Sequence, residues 1–156
     1  MNAQVIVAVL LIGFASGLRT FTGAAVVAWA VHVDHINVAG TPFDFMTSHT
    51  AVLVLSLAAL GEYIFDLLPF APPRTKLPGL VGRFLVGSFA AAVIVATSGL
   101  SLGLCILGGI VAIVGAFAGY YARTGLVRKL AIRDLLIAIP EDLVAIGLSV
   151  LAVCLV

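Results

Sequence analysis

Residues 80–121 read LVGRFLVGSFAAAVIVATSGLSLGLCILGGIVAIVGAFAGYY, with Arg83 as the one charged side chain. About 20 apolar residues in a helix cross a hydrocarbon core of roughly 30 Å. This stretch holds two such lengths, 80–97 and 100–121, on either side of Ser98-Gly99. Lipid offers no partner to an unpaired backbone amide, so an apolar run of this kind is satisfied as a helix. Outward from it, 51–70 is a further span, stopped by Pro69 and the Pro72-Pro73 pair, which cannot continue a helical ladder. Pro78-Gly79 precedes the next span, and 139–156 makes another, with Pro140 placed like a first-turn proline.

Composition supports the same class. Hydrophobic residues make up 63% and charged residues 10% of the 156, where a soluble domain is roughly 45–50% apolar and about 25% charged. Mean hydropathy is +1.28. A disordered chain or a disulfide scaffold is excluded as well, since Cys105 and Cys154 are the only cysteines and both lie in apolar runs. A net charge of +1 leaves no basic field to attract nucleic acid. The expectation is an all-α polytopic membrane protein, one transmembrane domain over 1–156, with the lipid bilayer as its partner. Met1-Asn2-Ala3-Gln4 runs into apolar sequence without a basic leader, so the first segment reads as a retained helix rather than a cleaved signal.

The stretch 5–31 is too long for one upright helix, about 40 Å at 1.5 Å per residue. It contains Gly13, Gly17, Arg19 and Gly23. It either tilts strongly or breaks between 17 and 23, and the break is the preferred reading. About five crossings result. Arg74, Lys76 and Arg83 follow the second crossing, Arg123, Arg128, Lys129 and Arg133 follow the fourth, and loops one and three have no Lys or Arg. The positive-inside rule then places the chain in the inner (plasma) membrane with its N-terminus cytoplasmic and its C-terminus outside. Residues 126–138 mix apolar and basic positions, as an amphipathic helix on the cytoplasmic surface or a plain polar linker would. Gly13-x3-Gly17-x4-Thr22-Gly23 recurs as Gly115-x3-Gly119-x4-Thr124-Gly125. That pairs helices one and two with four and five as an inverted repeat; alternatively, the spaced glycines simply let helices approach closely.

Ionisable groups in a membrane are costly, by at least about 2.5–3.5 kcal/mol at the centre, and mark sites or locks. Glu62 and Asp66 lie four apart on one face of the second span, with Arg19 as their natural partner. These three either line a pocket for an ion, a proton or a lipid headgroup, or pin helix one to helix two. Glu141 and Asp142 follow Pro140, where acids settle against a helix amide end, and complete the candidate binding set. Arg83, one turn into its helix, is expected to reach the interface. His32, Asp34 and His35 are weak metal candidates, lacking the spacing of a known zinc class. No nucleotide loop, nucleophile elbow or His-Glu-x-x-His occurs, so the expectation is no enzyme and no cofactor.

Gly17-Leu18-Arg19-Thr20-Phe21, together with Glu62-x3-Asp66-x2-Pro69, resembles the domain of unknown function 4126 family of small bacterial integral membrane proteins. The resemblance covers mainly the first two helices and the general helical layout thereafter. It implies a membrane fold and no chemistry, and it rests on Arg19, Glu62 and Asp66. The Arg74–Pro78 loop and the basic segment before the last helix depart from it. The expected function is a small carrier or channel-like transporter of an ion, small solute or lipid headgroup, as a homodimer packed through glycine-rich faces. The alternative is a structural or assembly protein whose charges lock helices together.

Overall fold

A computed structural model describes residues 2–66, 75–130 and 134–156. Their helices are α1 (Asn2–Leu18), α2 (Thr20–His32), α3 (His49–Asp66), α4 (Leu77–Ala96), α5 (Cys105–Leu130) and α6 (Asp134–Cys154), with 3-10 turns at Asp44–Thr47 and Leu102–Leu104. The described regular structure is all helical, and four helices, α3 to α6, are long and apolar enough to cross a membrane. Pro69, Pro72, Pro73, Arg74 and Arg133 lie outside the described residues, as do 67–74 and 131–133 generally.

The break expected in the first span falls at Arg19, whose backbone is extended at φ −136° and ψ 115°. The chain does not merely kink there; it doubles back. Gly23 of α2 lies against Ser16 and Ile12 of α1, and Gln4 and Val5 line a cavity with His35 and Asn37 just beyond α2. Residues 5–31 are therefore two helices side by side and not one crossing. With 17 and 13 residues, α1 and α2 measure about 25 and 20 Å. The same cavity takes in Thr97 and Val156, so both termini lie at one end of the bundle. Five crossings would have placed them at opposite ends.

α1 is the central helix, packed on α5, α6, α4 and α2. Lipid tails are as apolar as leucine, so helices in a membrane associate through close packing of small residues. A Cβ on Gly13 would stand 2.5 Å from the Gly108 carbonyl oxygen, and one on Gly17 would stand 2.7 Å from the Gly115 Cα. α4 approaches the same strip, with Gly87 against Ala112 and Gly108. The register Gly13–Gly108, Gly17–Gly115 advances in the same direction along both chains, so α1 and α5 run parallel. An inverted repeat needs this pair antiparallel, and that correspondence is corrected; the glycine spacing serves close approach. α3 is peripheral, with Val52 and Ala59 its buried residues.

Two local expectations also change. α5 continues unbroken to Leu130 and α6 opens at Asp134, so the described parts of 126–138 are the ends of two long helices, not a separate surface helix. Pro140 lies inside α6 rather than in its first turn, where its missing N–H removes one ladder bond.

Candidate functional site

A helix leaves its first amides and last carbonyls without partners, and the Arg19 turn creates one end of each kind within a single residue. Both ends are satisfied by side chains from other helices. Thr20 N and Phe21 N donate to Glu62 Oε1 and Oε2 at 2.8 and 2.9 Å, so a carboxylate of α3 caps α2. Arg83 of α4 donates from Nε to the Gly17 carbonyl at 3.1 Å, closing the end of α1. Each charge matches the partial charge of the helix end it meets. Arg83 also donates to the Gly79 carbonyl at 3.2 Å and stands 3.8 Å from Glu62 Oε1. It turns inward, at 5% exposure, and does not reach outward to the interface as expected.

Arg19 itself is buried, 1% exposed. Its Nη1 donates to Asp66 Oδ2, and its Nε donates to Asp142 Oδ1 at 2.5 Å. The guanidinium also lies over the Tyr63 ring, 5.0 Å from the centroid, a favourable placement on the negative face of an aromatic. The Tyr63 hydroxyl is in turn 2.7 Å from Thr22 Oγ1 of α2. Arg19 thus joins α3 to α6, while Glu62, expected as its partner, holds the backbone beside it. Glu141 does not sit at a helix start but faces Arg123 of α5, with Nη1 3.5 Å from Oε2.

The structure therefore gathers Arg19, Glu62, Asp66, Asp142 and Glu141 near one end of the bundle, opposite the termini. Arg83, Arg123 and Tyr63 join them and were not singled out as site residues. A basic residue inside an apolar span was the available signal for Arg83; Arg123, just past the span 100–121, read as one of the basic charges after the fourth crossing, and nothing local marked Tyr63. Two clefts flank the cluster. One, of about 410 Å³, is lined by Thr20, Phe21, Glu62, Asp66, Lys76 and Arg83, among others. The other, of about 310 Å³, is chiefly apolar, between α1, α5 and α6, and reaches Arg123 and Glu141.

The histidines are elsewhere. His32 Nδ1 lies 2.8 Å from the Thr47 carbonyl oxygen, and its ring meets that of His49 at 4.4 Å rather than that of His35. Asp34 occupies a left-handed backbone position at φ 58°. Among the described residues, no group of three or more His, Cys, Asp or Glu side chains converges as a metal would need.

Fold and site together define a helical protein with four candidate membrane spans and a charged cluster at one end of its bundle. No family model, curated protein or solved structure matches the chain.

Proposed function

We propose that the chain is a small carrier or channel-like protein of the plasma membrane, moving an ion, a small solute or a lipid headgroup through the cleft at Glu62. One juxtaposition supports this reading: the carboxylate that holds the amide end of α2 also walls a cleft containing Lys76 and Arg83. Carriers commonly build their sites where a discontinuous helix turns its amide end toward a charged group. At about 410 Å³ the cleft falls within the usual range of ligand pockets, about 300–1,000 Å³. In this reading the α1–α2 hairpin is the moving part and Glu62 is the group that cargo or a proton displaces. Lys76, Arg83, Arg123, Arg128 and Lys129 put the clustered end in the cytoplasm. In this reading both termini, which share the opposite end of the bundle, lie outside, where the sequence alone suggested a cytoplasmic N-terminus.

Membership in the domain of unknown function 4126 family is proposed on the same residues, Gly17 to Phe21 with Glu62 and Asp66, and carries no activity with it. The glycine faces expected to build a homodimer are used within the chain. A second copy, if the protein pairs, would meet the sparsely buried α3.

The assembly-protein reading is favoured by a separate observation, that Arg19 engages two carboxylates and Glu62 two amides. Flux in proteoliposomes separates the two readings. Monovalent cations, divalent metals, phosphate and fluorescent lipids form the panel. A carrier moves one of these, and Glu62→Gln, which removes the charge and keeps one oxygen to accept from the α2 amides, abolishes that flux in samples whose far-UV circular dichroism matches the wild type. Wild-type flux equal to empty liposomes across the panel would establish the assembly reading. Flux unchanged by Glu62→Gln would remove Glu62 from the mechanism.

A further inference from the structure

The cleft at Glu62 is polarised by the helices that line it. Its acids, Glu62 and Asp66, both belong to α3, and its cations, Lys76 and Arg83, lie at the N-cap and in the body of α4. These four charges sum to zero. Arg83 Nη2 stands 3.8 Å from Glu62 Oε1, beyond hydrogen-bond length, so the two signs are close without neutralising one another directly. Neither sign is used up. A carboxylate accepts about four hydrogen bonds, and Glu62 accepts two, from Thr20 N and Phe21 N. Lys76 is exposed and forms no ion pair among the described residues. Phe21 of α2 and Phe65 of α3 add apolar wall.

We infer, resting on the carrier reading above, that the cargo of this cleft is a zwitterion with a primary ammonium and an oxyanion on a short linker, as in an amino acid or a phosphoethanolamine headgroup. The ammonium meets the acids of α3, and the oxyanion meets Lys76 and Arg83. Taking a net charge out of water is costly, and a zwitterion adds none to a neutral lining. A lone cation or a lone anion satisfies one helix and is repelled by the other. Phe21 and Phe65 receive the hydrocarbon attached to the charged groups.

Binding to the full chain in mild detergent tests this without any need for flux. Three soluble probes share one hydrocarbon: leucine carries both charges, leucinamide only the ammonium, and 4-methylpentanoate only the carboxylate. Among lipids, phosphatidylethanolamine is the zwitterion and phosphatidylglycerol the anion. Isothermal titration calorimetry reads the soluble set and native mass spectrometry the lipids. A hydrogen bond to a charged group contributes a factor of about 10 or more, so in at least one set the zwitterion binds about tenfold more tightly than its singly charged counterparts. Leucine binding assigns a free solute; a preference confined to phosphatidylethanolamine assigns a headgroup. Glu62→Gln, in samples whose far-UV circular dichroism matches the wild type, brings the zwitterion level with the anionic probe. Lys76→Glu, at an exposed position, weakens the preferred zwitterion about tenfold. Binding of no probe, or singly charged probes bound as tightly as the zwitterion in both sets, overturns the proposal. A preference unmoved by Glu62→Gln, or zwitterion binding unmoved by Lys76→Glu, does so too. Flux is a separate outcome. With leucine added to the panel above, a zwitterion bound but not moved keeps this site and ends the carrier reading, and a cation moved with no zwitterion bound does the reverse.

Discussion

Replacing Arg19 with alanine removes the cation between two carboxylates and leaves both without it. The Arg19 side chain is 2% exposed, and those of Asp66 and Asp142 are 17% and 24% exposed. Removing one partner of a buried pair costs about 3–5 kcal/mol, because the remaining charge stays in a poor solvent. Here the two acids retain some access to water or a proton, which places Arg19→Ala near the lower end, about 3 kcal/mol. Unfolding in dodecylmaltoside titrated with dodecyl sulfate, followed by far-UV circular dichroism, reads this loss. The sharper measurement is the cycle with Asp142, whose Oδ1 accepts directly from Nε at 2.5 Å. A hydrogen bond between charged groups contributes about 1.5–3 kcal/mol, so Arg19→Ala/Asp142→Ala recovers about that much relative to the sum of the single variants. Losses additive to within about 0.5 kcal/mol would mean that Arg19 does not hold α6, and the site described above would be wrong.

Two further results follow from the packing and the hairpin. Gly13→Ala puts a methyl against the Gly108 backbone and costs about 1–3 kcal/mol in the same titration, while Gly61→Ala, with open space around it, is neutral or stabilising; equal effects at both positions would refute the α1–α5 contact. With Cys105 and Cys154 replaced, single cysteines at Gln4 and Asn37 label from one side of the membrane and one at Thr75 labels from the other, whereas labelling of Gln4 and Asn37 from opposite sides would refute the hairpin.

The four long helices were legible because hydropathy over about 20 residues is a strong signal. The position of the break was legible too, since Arg19 lies among glycines in an apolar run. Its doubling back was not, because no proline or turn sequence marks it. The device that makes so tight a turn tenable is Glu62, 42 residues away from Thr20, and a cap supplied from another helix leaves no local trace. Asp142 was legible as a candidate, but the neighbouring Pro140 pointed to a helix start. Only the position of α6 against α1 reveals it as a partner of Arg19. Arg83 was misread for a related reason: a basic residue one turn into a span reaches outward in most helices, and what draws it inward is the carbonyl end of α1.

The turn at Arg19 also sets an order of assembly. Its guanidinium leaves the ribosome early in synthesis, yet one of its two carboxylates belongs to α6, 123 residues later. Until α6 is made, the tip of the α1–α2 hairpin carries a charge that membrane lipid does not accommodate, and the tip stays at the water-facing surface. The last helix thus completes the first. A chain cut short before α6 would still hold α3, α4 and α5, each long and apolar enough to cross a bilayer, but its central helix would end in an incompletely paired cation.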